Sequence, residues 1–358
     1  MNYLKRINTV LIFVLIIISI NSCKKNITSS DSLEQIEFDV LYSGIKYGSI
    51  SFESSSINLL DIKSSNSKEI ISFSDYYVRY PDISPITNNI LFIRAPKSNR
   101  EKQDVFRVDY QGNNLVQINQ VNDTLSYYFP QFIRNDNQVL CLSEKYNSIW
   151  PSLRVTLIDT ITKKVRFITK QSINKFHKPQ ITPDGKYILF YNEGGNLCKT
   201  TPTINQIEIL VEGSYTWMVQ ISNNGKTLYY VKKLSDSSYE LYSIKISGTN
   251  LPKKILSDIE TPYIYVSPSE RKILYHIISG SNIGTWIMDI DGTNKTLIQD
   301  KVSVWPVGFF PDETKILLNV PDNNFIHQLY TVNLDGSDLQ MVTSGECSVN
   351  DDAIISIK

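Results

Sequence analysis

The sequence predicts an all-β fold, a β-propeller of seven four-stranded blades, and three observations predict it. A hairpin of fixed design recurs along the chain, a second hairpin with a different turn follows each copy, and successive second hairpins lie forty to fifty residues apart. Four strands repeated at such a period are the pattern of a propeller blade.

The first hairpin is clearest in HKPQITPDGKYILF, residues 177–190. Pro183 presets φ, Asp184 can bond its own backbone and Gly185 accepts positive φ, while the flanking β-branched and aromatic residues suit a pleated sheet. The same design returns as PDISPITNNILF (81–92), FPQFIRNDNQVLCL (129–142), MVQISNNGKTLYY (218–230), IYVSPSERKILY (264–275) and VGFFPDETKILL (307–318), and a further candidate, ECSVNDDAIISIK (346–358), ends the chain.

The second hairpin is seen at 57–71, 105–118, 154–168, 196–210, 241–255, 285–298 and 328–342. Its reference positions, Asp61, Asp109, Asp159, Thr201, Lys245, Asp289 and Asn333, are 48, 50, 42, 44, 44 and 44 residues apart. The first of these hairpins lacks a complete partner upstream and the last lacks one downstream. Joining the two ends in one blade closes the ring, removes its open edge and fixes the termini. Segments 36–44 and 48–53 are strand-like and are candidates for the same blade.

At the N-terminus Lys5 and Arg6 precede the apolar run VLIFVLIIISI (10–20), which small and polar residues separate from Cys23. A charged start, a short apolar run and a small-residue cleavage region make a secretory signal over 1–22, too short for a comfortable membrane span. Ile20-Asn21-Ser22-Cys23 resembles a bacterial lipobox, with Asn21 where a small residue is usual. That resemblance makes Cys23 the lipidated first residue of the mature chain, and acyl chains contribute about 0.8 kcal/mol per buried CH₂ to anchoring. Lys24, rather than Asp, follows the cysteine, which resembles outer-membrane sorting. Residues 23–35, rich in Ser, Asn and charge, read as a flexible tether, and 36–358 as a single propeller domain.

Composition narrows the function classes. Lys and Arg number 36 against 36 Asp and Glu, with no long run of either sign, so there is no basic stripe of the kind nucleic acid requires. Twenty-one tyrosines favour strands over helices. Cys141, Cys198 and Cys347 remain after the lipobox, an odd number with no CxxC or Cys/His zinc spacing, and Cys141 inside QVLCL reads as a small buried hydrophobe.

PQITPDGKYILF followed by hairpins like IMDIDGTNKTLI resembles the TolB-type propeller repeat, over about 57–358. The copies at 179–190, 286–298 and 307–318 keep the pattern well, whereas Arg134-Asn135-Asp136-Asn137 has drifted. The resemblance implies fold strongly and function weakly, since related propellers serve as binding scaffolds, enzyme domains and protease caps.

No cofactor, metal site or catalytic set is expected. Asp289-Ile290-Asp291-Gly292-Thr293-Asn294 alternates oxygen ligands, but a calcium loop of the EF type needs its Gly two places later and a distant Glu, so a turn is the better reading. Some propeller lyases that act on acidic sugars hold a metal with several axial histidines; His177, His276 and His327 do not occupy equivalent repeat positions here. There is no G-x-S-x-G elbow and no room for an α/β-hydrolase domain.

The sharper pattern is aromatic. Tyr80, Phe129, Trp217, Tyr263 and Trp305 stand at or near equivalent positions entering the inner strands, and propeller geometry gathers these entries at one mouth of the axial channel. Such a rim suits stacking on sugar rings or gripping a peptide, while packing one blade on the next is the competing role. The loops on the same side differ from blade to blade: APKSNREKQD (95–104) is charged, SEKYNSIWPS (143–152) carries Trp150 and PDNNFIHQ (321–328) carries Phe325. Together these features predict a lipid-anchored, noncatalytic binding or scaffold protein of the outer membrane, facing the periplasm or the surface and engaging an envelope protein or glycan as a monomer or part of a complex. A carbohydrate-active, lyase-like enzyme working at the axial funnel is the alternative.

Overall fold

A computed structural model describes residues 39–47, 52–134, 136–147, 152–169, 173, 178–203, 206–213, 219–235, 238–248, 251–261, 263–322, 324, 326–343, 348–349 and 354–355. These form seven antiparallel sheets arranged as a propeller, with no helix among the described residues. Blade 1 runs Tyr76–Ile83, Ile90–Pro96, Asp104–Val108 and Val116–Gln117, and blade 2 runs Leu125–Phe132, Gln138–Lys145, Arg154–Asp159 and Val165–Phe167. Blades 3 to 6 repeat the order, beginning at Gln180–Ile181, Val219–Ile221, Ile264–Val266 and Trp305–Phe309.

Blade 7 closes the ring from both termini. Ser348–Val349 and Ile354–Ile355 each pair with Val40–Tyr47, which pairs in turn with Phe52–Asp61 and then Asn66–Phe73. Val40–Tyr47, which overlaps the strand-like stretch at 36–44, is therefore the second strand of the closing blade, and Phe52–Asp61 is the third.

The second strands read as unbroken apolar runs because neighbouring blades cover both of their faces, which removes the in–out alternation of a half-solvated sheet. In blade 3, Ile188 and Phe190 pack on Leu140, Leu142, Val155 and Leu157 of blade 2. The intervening Leu189 and Tyr191 pack the other way, on Leu228 and Tyr230 of blade 4. Cys141 faces blade 1 among Leu91, Ile93 and Val105, a free thiol used as a small apolar group, and burial pushes its pKa far up. Cys198 is also buried and free, with its pKa pushed up to about 11 by desolvation. Cys347 lies outside the described residues.

The turn of the first hairpin shows why some copies have drifted. Its left-handed position is Gly185 (φ +72°) and Gly225 (φ +68°) in blades 3 and 4, but Asp136 (φ +55°), Glu270 (φ +60°) and Glu313 (φ +55°) in blades 2, 5 and 6. A side chain there costs about 1–2 kcal/mol of backbone strain. Each acid offsets it by reaching back to the turn of the preceding blade: Asp136 accepts from Thr87 Oγ1 at 2.6 Å, Glu270 from Asn224 Nδ2 at 3.2 Å and Glu313 from Ser269 Oγ at 2.8 Å.

Candidate functional site: the axial mouth

The inner strands enter from the mouth side, where Tyr76 of blade 1 lies opposite Pro96 and the loop that follows it. Tyr80 and Phe129 sit in equivalent bulges, one extra residue in each inner strand between Arg79 and Asp82 and between Tyr128 and Gln131. Both hold left-handed backbone, φ +53° and +52°, each ahead of a proline, at a cost of about 1–2 kcal/mol apiece. Their rings meet across the seam of blades 1 and 2 with centroids 4.4 Å apart, and the guanidinium of the exposed Arg79 lies 5.2 Å from the Tyr80 centroid.

A second pair forms at the seam of blades 5 and 6. Tyr263 meets Trp305 edge to face at 5.1 Å, and His276 packs on Trp305 at 4.6 Å. The structure thus brings four of the predicted rim residues together two by two, and each pair bridges neighbouring blades. All four remain part-exposed. Trp150, Trp217 and Phe325, like Cys23, lie outside the described residues.

His276 is fully buried, its Nε2–H donating to the Val302 carbonyl at 3.0 Å and its Nδ1 facing Thr285 Oγ1 at 2.9 Å. Burial pushes its pKa below the ordinary imidazole value, so it is neutral at pH 7. His327 bonds through Nδ1 to Asn319 Oδ1 at 2.8 Å, and His177 lies outside the described residues. Among the described residues no three His, Cys, Asp or Glu side chains converge as metal ligands. Asp289 is engaged by Lys272 at 2.9 Å and Asn294 at 2.6 Å, and Asp291 by Thr293, as turn residues.

The charged loop after Pro96 is held by its neighbours. Lys97 N donates to Asp75 O at 2.7 Å, Lys102 Nζ to Leu125 O at 2.7 Å, Asn99 to the Tyr146 hydroxyl, and Arg100 lies 3.9 Å over the Tyr77 ring. It serves as a strap between blades 1 and 2.

A set of residues that sequence reasoning missed links the inner strands around the axis. Asp82 accepts from Phe132 N at 2.8 Å, Gln131 donates to Pro179 O at 2.6 Å, and Gln180 to Val219 O at 2.6 Å. Gln220 bonds both the N–H and the carbonyl of Val266, at 2.7 and 2.8 Å. One polar side chain per blade, at one repeat position, ties blades 1 to 5 in series. The signal was present as a Gln after Pro130 and Pro179, but its partner is a backbone group some forty to fifty residues away.

Asp82 is the charged member of this series. Desolvation pushes its pKa up to about 6, only partly opposed by the charge of Lys178 and the Phe132 N–H, with Asp136 adding to the rise. A carboxyl whose folded pKa exceeds its unfolded value stabilises fully below the unfolded value, and that contribution is lost as pH rises toward 6. Asp82→Asn keeps an acceptor for Phe132 N without the charge. The variant is expected to melt higher than wild type at pH 7.5, by about 1–3 kcal/mol of stability, and to match it near pH 3.5. Parallel melting curves across this range, with the difference unchanged by pH, would refute the assignment.

The architecture defines a seven-bladed propeller built from TolB-type hairpins. By sequence the chain matches no protein-family profile and no curated relative. Among solved structures it is similar to TolB from Acinetobacter baumannii at 18% identity and TM-score 0.52, covering 72% of this chain and 62% of that one. It is also similar to an oligogalacturonate lyase in complex with manganese, at 14% identity and TM-score 0.64, covering 78% and 83%. A prolyl endopeptidase aligns at 8% identity and TM-score 0.63, over 88% of this chain and 51% of its own length. At such identities the likeness is one of fold, and the chain spans 62% of TolB's length.

Proposed function

We propose that the protein is a noncatalytic binding or scaffold protein of the cell envelope, anchored in the outer membrane through a lipidated Cys23 and engaging an envelope protein or glycan at the axial mouth. The observation that carries this reading is the pair of aromatic clusters, Tyr80 with Phe129 and Tyr263 with Trp305, at two separate seams of one mouth, each left part-exposed. Left-handed backbone at two bulky aromatic residues is the kind of local cost that accompanies a binding surface. The likeness to TolB supports an envelope role, and the apolar leader with its lipobox-like end supports the anchor. The lyase alternative draws on histidines meeting at the funnel, and His276 and His327 are each engaged with other partners.

Crosslinking in intact cells, followed by identification of the captured species, tests the reading. The Tyr80→Ala, Trp305→Ala double variant, with an unchanged circular dichroism spectrum, is expected to lose the wild-type partner, and Cys23→Ala to move the protein from the membrane to the soluble fraction. A folded double variant that keeps its partner would place binding elsewhere, and membrane retention of Cys23→Ala would remove the anchor.

A further inference from the structure

The seam between blades 4 and 5 is built differently from two others. At the seam of blades 7 and 1 an outer-strand lysine crosses over, Lys68 Nζ donating to Tyr110 O at 3.3 Å, and between blades 2 and 3 Arg166 donates to Pro202 O. Lys253 occupies the same register position in blade 4, opposite Ser243 as Lys68 is opposite Leu59 and Arg166 opposite Leu157. It borders a cavity of about 570 Å³ instead. A second cavity, of about 370 Å³, is lined by Leu256, and Asp291 borders both. Gly292 leaves room for Leu256 in that lining: its φ is +87°, and a Cβ there would stand 2.7 Å from Leu256 Cδ2.

The smaller cavity joins an apolar floor to a polar rim. Trp286 and Tyr275 are direct cross-strand partners in blade 5, with Met288 beside them. The indole Nε1–H already donates to Asn282 O at 3.0 Å, so Trp286 has its ring rather than its N–H left to offer. Glu260, Asn282 and Lys295 stand around this floor, and Asn282 Nδ2 donates to Glu260 Oε1 at 3.3 Å. Donors and acceptors around an aromatic floor match a pyranose ring, which has C–H groups on its face and hydroxyls at its edge. Charge selects further. Glu260 and Asp291 outnumber Lys295, so the cavity carries excess negative charge and disfavours an acidic sugar.

We propose that this flank cavity between blades 4 and 5 is a binding site for a neutral hexopyranose disaccharide. It is separate from the axial mouth and does not rest on the reading given above for it. The order of affinities, neutral above acidic, follows from the rim charges, and Trp286 supplies the stacking surface.

Isothermal titration of the full chain in detergent with cellobiose, N,N′-diacetylchitobiose and digalacturonate tests the site. Saturable binding of at least one neutral disaccharide is expected, with digalacturonate at least about tenfold weaker. Trp286→Ala is expected to weaken binding by about tenfold or more, and Asn282→Ala, at an exposed position, by several-fold with an unchanged melting temperature. The proposal is overturned if neither neutral disaccharide binds at about 10 mM, if digalacturonate binds best, or if the folded Asn282→Ala protein binds as wild type does.

Discussion

A chain ending at Thr343 is expected to melt at least about 10 °C below the full protein, or to aggregate on expression. The truncation removes both segments that pair with Val40–Tyr47, and with them Val349, which is 3% exposed and packs with Val40, Tyr42, Leu60 and Leu317. Burial of one valine contributes about 1.5–3 kcal/mol. The larger loss is topological, since the ring opens at a strand that is 0% exposed at Val40 and Leu41 and now presents an unpaired apolar edge. In a domain of this size each kcal/mol lost lowers the melting temperature by roughly 1.5 °C, so the expected drop corresponds to about 7 kcal/mol. Scanning calorimetry decides the matter, and a truncated protein that melts cooperatively near the wild-type temperature would show that blade 7 does not hold the ring together.

Replacing Lys199 is the second large effect. Its ammonium is buried at the seam of blades 3 and 4, where it donates to Ile246 O at 3.0 Å and Ser247 O at 3.2 Å and pairs with Glu208 at 3.0 Å. Lys199→Ala leaves two carbonyls without this donor and is expected to cost about 2–4 kcal/mol in urea unfolding. Glu208→Gln is expected to cost less than about 1 kcal/mol, because the Glu208 side chain is 53% exposed and solvent screens the pair. The asymmetry is the diagnostic. Equal losses in the two variants would mean that the ion pair, rather than the carbonyl capping, holds the seam.

The blade pattern was legible because it is written in local chemistry. Pro183-Asp184-Gly185 and Asp291-Gly292 mark turns through the conformations those residues permit, and the apolar runs between them mark strands covered on both faces. Joining the chain ends in one blade was legible too, from a count of unpartnered hairpins. Partnership across seams was not. Nothing near Gln131 in the chain points to Pro179, and Glu260 gives no sign that it shares a cavity with Trp286 and Lys295. Aromatic residues at repeat entries could be picked out from spacing alone. That Tyr80 would meet Phe129, and Trp305 meet Tyr263 and His276, depends on backbone twist and bulges that no single stretch encodes.

Closure by Val40–Tyr47 also sets the order in which the molecule can be completed. Gly44 pairs with Val349, 305 positions later, so the last contact to form joins nearly the first and the last strands of the domain. A chain delivered N-terminus first holds its first three strands as an unfinished sheet until the final segment arrives, and such long-range pairing is slow. Throughout that interval the open edge is a surface on which other nascent chains can pair. The last few residues therefore govern folding yield as well as stability.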